Sequence, residues 1–309
     1  MKKLLSTILC LAAVSCVLSK AQTSQYSVNV EPFTGVDISG SFEVSILRGS
    51  EYRVLVTVLE PYRDYVECYV GAGILNLTLD EKKVPAEIRR QFRGRNTPDP
   101  VYSAVIYVPE LLQNVRLSDK AVLHDSEDVF DKARINISME GSSNIRSLKL
   151  SSLVFSLDMR GKSSAELDVT CRESEVNLAN STNLKIEEAS ESSYYTIQGS
   201  SKTTAEVNTR SFRLSSKSNC SITVSGVSQT AVFDMSGTSE ADASRFEVND
   251  ASVTMSSVCK LSVAASDNLK VNLNGGPSLF FAGNPVIEID NIRSATMSRL
   301  PGRQTSTKL

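Results

Sequence analysis

Between Val115 and Phe281 the chain keeps returning to one short grammar. An apolar residue stands two places before a Gly, Asn, Ser or Asp at Leu117, Met139, Met159, Leu178, Ile197, Leu214, Met235, Met255 and Leu273. The steps between them are 22, 20, 19, 19, 17, 21, 20 and 18 residues, 19.5 on average. A period of that length is the mark of a solenoid, in which each repeat is one supersecondary unit that buries its apolar side only against its neighbours. Three further columns keep the same beat, two residues before and six and eight residues after the reference position. Over the four columns 33 of 36 positions are apolar, in a chain that is 41% apolar overall. Within each repeat the apolar residues come in pairs two apart, the period of a β-strand whose alternate side chains point inward.

The corners are equally regular. Gly141-Ser-Ser-Asn, Gly161-Lys-Ser-Ser, Asn180-Ser-Thr-Asn, Gly199-Ser-Ser-Lys, Gly237-Thr-Ser-Glu and Gly275-Gly-Pro-Ser separate the apolar pairs. Gly and Asn tolerate the positive φ of a sharp turn. Coils of this kind pair strand on strand in parallel, about 4.8 Å apart, so nine of them make a rod roughly 40 Å long. The expected fold is all-β: a single-stranded parallel β-helix whose regular coils occupy residues 113–290. Leu148 to Phe155 and its equivalents form a third side.

The N-terminal part reads differently. Val36, Ile38, Val44 and Ile46 fit the coil columns, but longer β-like runs follow at Tyr52–Val58, Ile74–Leu79 and Tyr102–Val108. Residues 25–112 are therefore expected to be a β-rich section that starts and caps the solenoid, because an open coil end is an adhesive edge. Residues 291–309 are polar with Pro301-Gly302 and are expected to be a loose tail.

The first 21 residues read as a secretory signal: Lys2 and Lys3, an apolar run from Leu4 to Val14, and small residues around Ala21. Ala13-Val14-Ser15-Cys16 also reads as a lipobox, which makes Cys16 a candidate lipidation site. No other stretch is apolar for long enough to cross a membrane as a helix. Export to the periplasm, outer membrane or surface of a Gram-negative bacterium is the expectation. Loss of the signal removes Lys2, Lys3 and Lys20 and takes the net charge from −2 to −5. A mildly acidic chain of this kind argues against nucleic acid as a partner.

No residue cluster carries a reaction. His124 is the single histidine and is expected on the surface. Cys68, Cys171, Cys220 and Cys259 survive in the exported chain without a CxxC, so no metal or cofactor is expected; their disulfide state is left open, with Cys220 read as a small buried residue in the column of Leu184 and Leu261. Asp158 and Asp234 share one column and Glu166 sits near another; in a solenoid these face solvent rather than each other, as paired catalytic carboxylates would need to. The best local contact site is the insertion Asp80–Pro100, which carries Lys82, Lys83, Arg89, Arg90, Arg93 and Arg95 and reads either as a grip for anionic glycans or headgroups or as a solvated surface loop.

The run FTGVDISGSFEVSILRGSEYRVLV, followed by VIYVPELLQNVRLSDKAVL and then by Ser/Gly-cornered coils, resembles the head GIN domain family of auto-transporter adhesins over residues 32–285. The resemblance implies a pectate-lyase-like, right-handed parallel β-helix in an exported envelope protein. A role in cell adhesion is proposed for the family, and it has no assigned catalytic residues. The expected function is a non-enzymatic binding head for carbohydrate or another envelope component. The alternatives are a structural envelope protein that self-associates through its solenoid ends and, third, a polysaccharide-active enzyme. The chain carries no section suited to a translocating barrel, so self-export is not expected.

Overall fold

The structure is a computed structural model and describes residues 23–91, 102–124 and 129–300. It is 69% strand and 4% helix, wound as a parallel β-solenoid of about 10 turns. The expected signal segment with Cys16 and residues 301–309 lie outside the described residues.

The first section contains β1 (Thr23–Asn29), β2 (Gly35–Ile38), β3 (Glu43–Arg48), β4 (Arg53–Leu59), β5 (Val66–Gly71), β6 (Ile74–Leu79), the short helix α1 (Ala86–Gln91) and β7 (Ser103–Val108). Its spatial order departs from its chain order. β2 pairs in parallel with both β6 and β8 (Asn114–Leu117), and β3 pairs in parallel with both β7 and β9 (Val122–Leu123). The coil β2–β3 is thus the second in space. The chain leaves it, builds the end of the solenoid, lays down β6–β7 as the outermost coil, and then steps over β2–β3 to continue. Three antiparallel pairings finish this end: β1 with β4, β4 with β7, and β5 with β6. Aromatic packing fills it, with Phe33 5.0 Å from Tyr52 and Tyr62 5.6 Å from Tyr102 between ring centroids.

From β10 (Asp131–Met139) onward each coil repeats the last. The strands are β11 (Asn144–Met159), β12 (Ser164–Thr170), β13 (Glu173–Leu178), β14 (Asn183–Ala189), β15 (Ser192–Gly199), β16 (Lys202–Ser218), β17 (Ser221–Met235), β18 (Glu240–Ser256), β19 (Lys260–Asn274), β20 (Ser278–Ala282), β21 (Val286–Arg293) and β22 (Thr296–Arg299). The longest of them run unbroken round a corner. The first half of β16 pairs with β14 on one face while its second half pairs with β15 on another. One inward column on the first face runs Leu75, Val36, Val115, Ile137, Leu157, Val176, Tyr195, Leu214, Phe233, Val253 and Val271. All of these are buried. Removing each large one from water is worth about 1.5–3 kcal/mol before the ordering entropy of the chain is set against it.

Two details of register differ from the sequence reading. Ile197 aligns with Ser216, not Leu214, and Ser216 in turn aligns with Met235. The steps of 17 and 21 residues are therefore two equal steps, and the slip is one strand period. An apolar alignment passes over Ser216 because it is polar, yet it is buried and occupies the inward slot. Cys220 consequently leaves the apolar column: it stands between Ser201 and Ser239, and Ile222 takes the place beside Thr203 and Ala241. A bulge in β11 also puts Leu148, rather than Ser147, opposite Leu167.

The corner between the two faces has its own inner lining. Ser143, Ser163, Thr182, Ser201, Cys220, Ser239 and Cys259 are all buried. Several donate to the carbonyl three residues back: Ser163 to Arg160, Ser201 to Gln198, Cys220 to Lys217, Ser239 to Ser236 and Cys259 to Ser256. A small donor is needed there because the turn leaves that carbonyl inside, away from water. The turn residue is left-handed in each coil. At Gly199 (φ +79°) a Cβ would lie 2.4 Å from the Asn180 carbonyl oxygen of the coil below. Ser218 holds the equivalent conformation with a side chain, at φ 79°.

The section 291–309 was expected to be loose; residues 291–293 complete β21 and β22 follows, so the solenoid reaches at least Arg299. Among the described residues Cys68, Cys171, Cys220 and Cys259 are all free thiols.

Candidate functional site

Among the described residues of the basic insertion, bases and acids stand side by side. Lys82 and Lys83 sit in the turn after β6, and Arg89 and Arg90 on α1; Arg93 and Arg95 lie outside the described residues. Lys83 Nζ pairs with Glu67 Oε1 at 2.7 Å, and Arg89 Nε donates to the Val84 carbonyl at 3.0 Å. Lys82 and Arg89 line an open cleft of about 700 Å³ at the first corner, together with Asp80, Glu81, Asp119 and Lys120. The bases are thus answered by acids on the spot. The described lining of the cleft is of mixed charge.

The carboxylates singled out by sequence face outward, as expected, and are engaged along the surface. Asp158 takes both 2.9 Å and 3.1 Å bonds from Arg160, and Glu166 pairs with Lys185 on the next coil. Asp158 and Asp234 share a column but are separated by the coils of Asn177, Thr196 and Ser215. His124 is partly exposed, with Nε2 3.2 Å from Glu43 Oε2. Among the described residues no group of His, Cys, Asp and Glu side chains is arranged to hold a metal ion.

Sequence reasoning missed a buried carboxylate. Glu188 is 3% exposed and occupies the inward slot between Val169 and Val207 of the neighbouring coils. Three hydroxyls converge on it: Ser174 Oγ at 3.0 Å, Ser193 Oγ at 2.6 Å and Tyr195 Oη at 2.6 Å. The network continues from Ser193 to Ser190 and on to Thr209. Burial, followed by the Glu188 charge, pushes the Tyr195 phenol well up. Cys171 beside it is pushed up to about 12 by burial first and then by Glu188 and Glu173. A thiol held protonated is a poor nucleophile. The cluster is closed and internally satisfied, which makes it a structural plug in the core. Strand alternation through Leu184 and Ile186 was the available signal, since it puts Glu188 inside and Glu187 outside.

The outer side of the first face offers the extended surface. Its flat parallel ladder carries Asn177, Thr196 and Ser215 in one row and Glu175, Tyr194 and Arg213 in the next. Tyr194 is 41% exposed there among polar side chains. Further toward the start of the stack, Asn136 Nδ2 donates to Asn114 Oδ1 at 2.9 Å along the same surface. An exposed aromatic ring flanked by amides, hydroxyls and a guanidinium offers both an apolar platform and directional donors and acceptors.

The sequence profile of a family described as "Putative auto-transporter adhesin, head GIN domain" matches residues 32–193 and 174–285. Among solved structures, a "putative adhesin" from Parabacteroides merdae aligns with a TM-score of 0.50 at 13% identity, covering 91% of this chain and 98% of that one. A "putative adhesin" from Parabacteroides distasonis aligns with a TM-score of 0.50 at 14% identity over the same shares, 91% and 98%. A "Putative lipid binding protein" from Parabacteroides distasonis aligns with a TM-score of 0.45 at 17% identity, again over 91% and 98%. At these identities the likeness is one of fold alone. No curated protein matches the chain.

Proposed function

The chain belongs to the head GIN domain family of "putative auto-transporter adhesins", and from that membership we propose that it is an exported, non-enzymatic head that binds carbohydrate or another cell-surface component through the outer side of its first face. The observation that carries this reading is the exposed ring of Tyr194 between Glu175 and Arg213 on a flat polar ladder. Successive coils place their side chains about 4.8 Å apart, a spacing on the scale of a sugar ring. A pyranose face stacks on an aromatic ring while its hydroxyls meet Asn, Ser, Thr and Arg. No helix among the described residues is long and apolar enough to cross a membrane. Lipidation at Cys16 is the attachment this reading assigns.

The test is a glycan array and a cell-binding assay with folded mature protein. Retention on a defined class of glycans is expected, weakened roughly tenfold or more by Tyr194→Ala, as for an aromatic hot spot, and largely kept by Tyr194→Phe. No retention on any glycan or cell overturns the proposal. So does retention that Tyr194→Ala and Arg213→Ala leave unchanged.

A further inference from the structure

The last coil leaves the core open. Ile287, Ile289 and Ile292 continue the inward columns of Leu269, Val271 and Leu273, each of which is fully buried. The three isoleucines are 39%, 56% and 40% exposed. β21 pairs with β19 and β22 with β20, and no described strand takes the outer edge of either. An edge with unpaired N–H and C=O groups above bare isoleucines is a ready template for another strand.

β21 is complementary to itself. Side chains directly opposite in an antiparallel pair point to the same side of the sheet. If two copies of β21 meet about a two-fold axis between Asp290 and Asn291, Ile289 lies opposite Ile292 of the other copy, twice, on the core side. Glu288 then lies opposite Arg293 of the other copy, twice, on the outer side. The bulge at Asp290–Asn291 falls on the axis in both copies, so the inward and outward assignments agree on both flanks. Arg293 has no ion pair among the described residues, whereas Glu288 already holds Lys270 at 3.0 Å. Among the described residues the opposite end exposes a single aromatic ring, Tyr69 of β5 at 54%, while the roof strand β4 buries Val54, Val56 and Val58, so no row of bare aliphatic side chains continues the core there.

We propose that the C-terminal coil is a homodimerisation surface: two copies join tail to tail by antiparallel pairing of β21 with β21, closing both cores at once. The interface is isologous and so ends at two copies. It is independent of the carbohydrate reading and leaves the first faces of both heads open.

Sedimentation equilibrium of the full mature chain across a concentration series tests it. A monomer–dimer equilibrium is expected. Ile289→Asp and Arg293→Glu are each expected to weaken it roughly tenfold or more, the scale for losing an apolar or charge pair from an interface. Combining Arg293→Glu with Glu288→Arg is expected to restore a large part of the loss, because it re-forms the pair with reversed signs. Hydrogen exchange is expected to slow in residues 286–293 as concentration rises. A strict monomer, an open-ended oligomer, or a dimer indifferent to all of these variants overturns the proposal. Far-UV circular dichroism and melting of the dilute variants separate loss of pairing from loss of fold.

Discussion

The two ends of the solenoid are finished by opposite means. At the N-terminal end the chain doubles back and roofs its outermost coil with antiparallel strands and tyrosine rings, so that Val54, Val56 and Val58 of β4 are fully buried. At the other end the inward columns simply run out, and Ile289 is 56% exposed. A stack of parallel coils is translationally open: every coil presents the same edge to the next. Something must stop the stack, and the N-terminal half of this chain spends a long, irregular stretch of sequence doing so. The C-terminal half carries no such stretch among its described residues, and that asymmetry is what points to a partner copy.

Charge insertion gives the widest contrast. Val56→Asp in the roof and Leu261→Asp in the middle of the stack are each expected to cost more than about 3 kcal/mol, because each buries an unpaired carboxylate. Ile289→Asp is expected to cost the dilute monomer under about 1 kcal/mol. Urea denaturation of the three variants reads this directly. Equal losses at all three positions would erase the distinction between the ends.

Next in size is the buried network that has no counterpart at either end. Tyr195→Phe removes one of the three donors to Glu188, and a hydrogen bond to a buried charged group is worth about 1.5–3 kcal/mol. A melting curve superimposable on the parent's would mean that the network contributes nothing to the regular coils. A smaller effect is expected in the corner ladder. Gly199→Ala forces a Cβ against the Asn180 carbonyl and is expected to cost about 1–3 kcal/mol. Ser218→Gly relieves the same backbone conformation one coil on and is expected to be neutral or stabilising by up to about 1 kcal/mol. An opposite order of the two would refute the stacked left-handed corner.

The thiols provide a finer probe. Cys171 has its proton held to about pH 12 in the fold, against an ordinary 9.0. The unfolded chain loses that proton first, so the stability linked to it is complete below pH 9.0 and is lost as pH rises through about 12. Cys171→Ala is expected to flatten that alkaline slope, which equilibrium unfolding between those limits measures. Cys68, on the half-buried edge strand β5, is expected to label with iodoacetamide before Cys171, Cys220 and Cys259, since edge strands open more readily than the centre of a stack. The smallest effect is at the surface: Ser200→Asp, at an exposed corner, is expected to change stability by under about 0.5 kcal/mol.

Much of this fold was legible in advance. Strand alternation put Leu261, Phe233 and Tyr195 inside, and corner chemistry put Gly141, Gly161 and Gly199 at turns, because both signals are local and recur with each coil. Ser216 shows where that legibility stops. Its inward slot is a matter of which residue of the next coil it meets, and a polar side chain gives an apolar alignment nothing to hold. Glu188 was hidden for a related reason: its burial is tolerable only because Ser174, Ser193 and Tyr195 come from neighbouring strands. The basic run from Lys82 to Arg90 looked like a patch as a string; in the fold Lys83 pairs with Glu67, and Lys82 and Arg89 share a cleft with Asp119.

The residues alone determined the coil, its length, its alternating strands and its Gly- and Asn-marked corners, since each depends on neighbours within one turn of chain. Tertiary structure alone decided that the coil of β2 and β3 lies inside that of β6 and β7, that a carboxylate sits in the core, and that one end is roofed while the other is bare. Those outcomes turn on which strand edges meet across the stack, and every parallel edge offers the same backbone hydrogen bonds; only packing in three dimensions chooses among them.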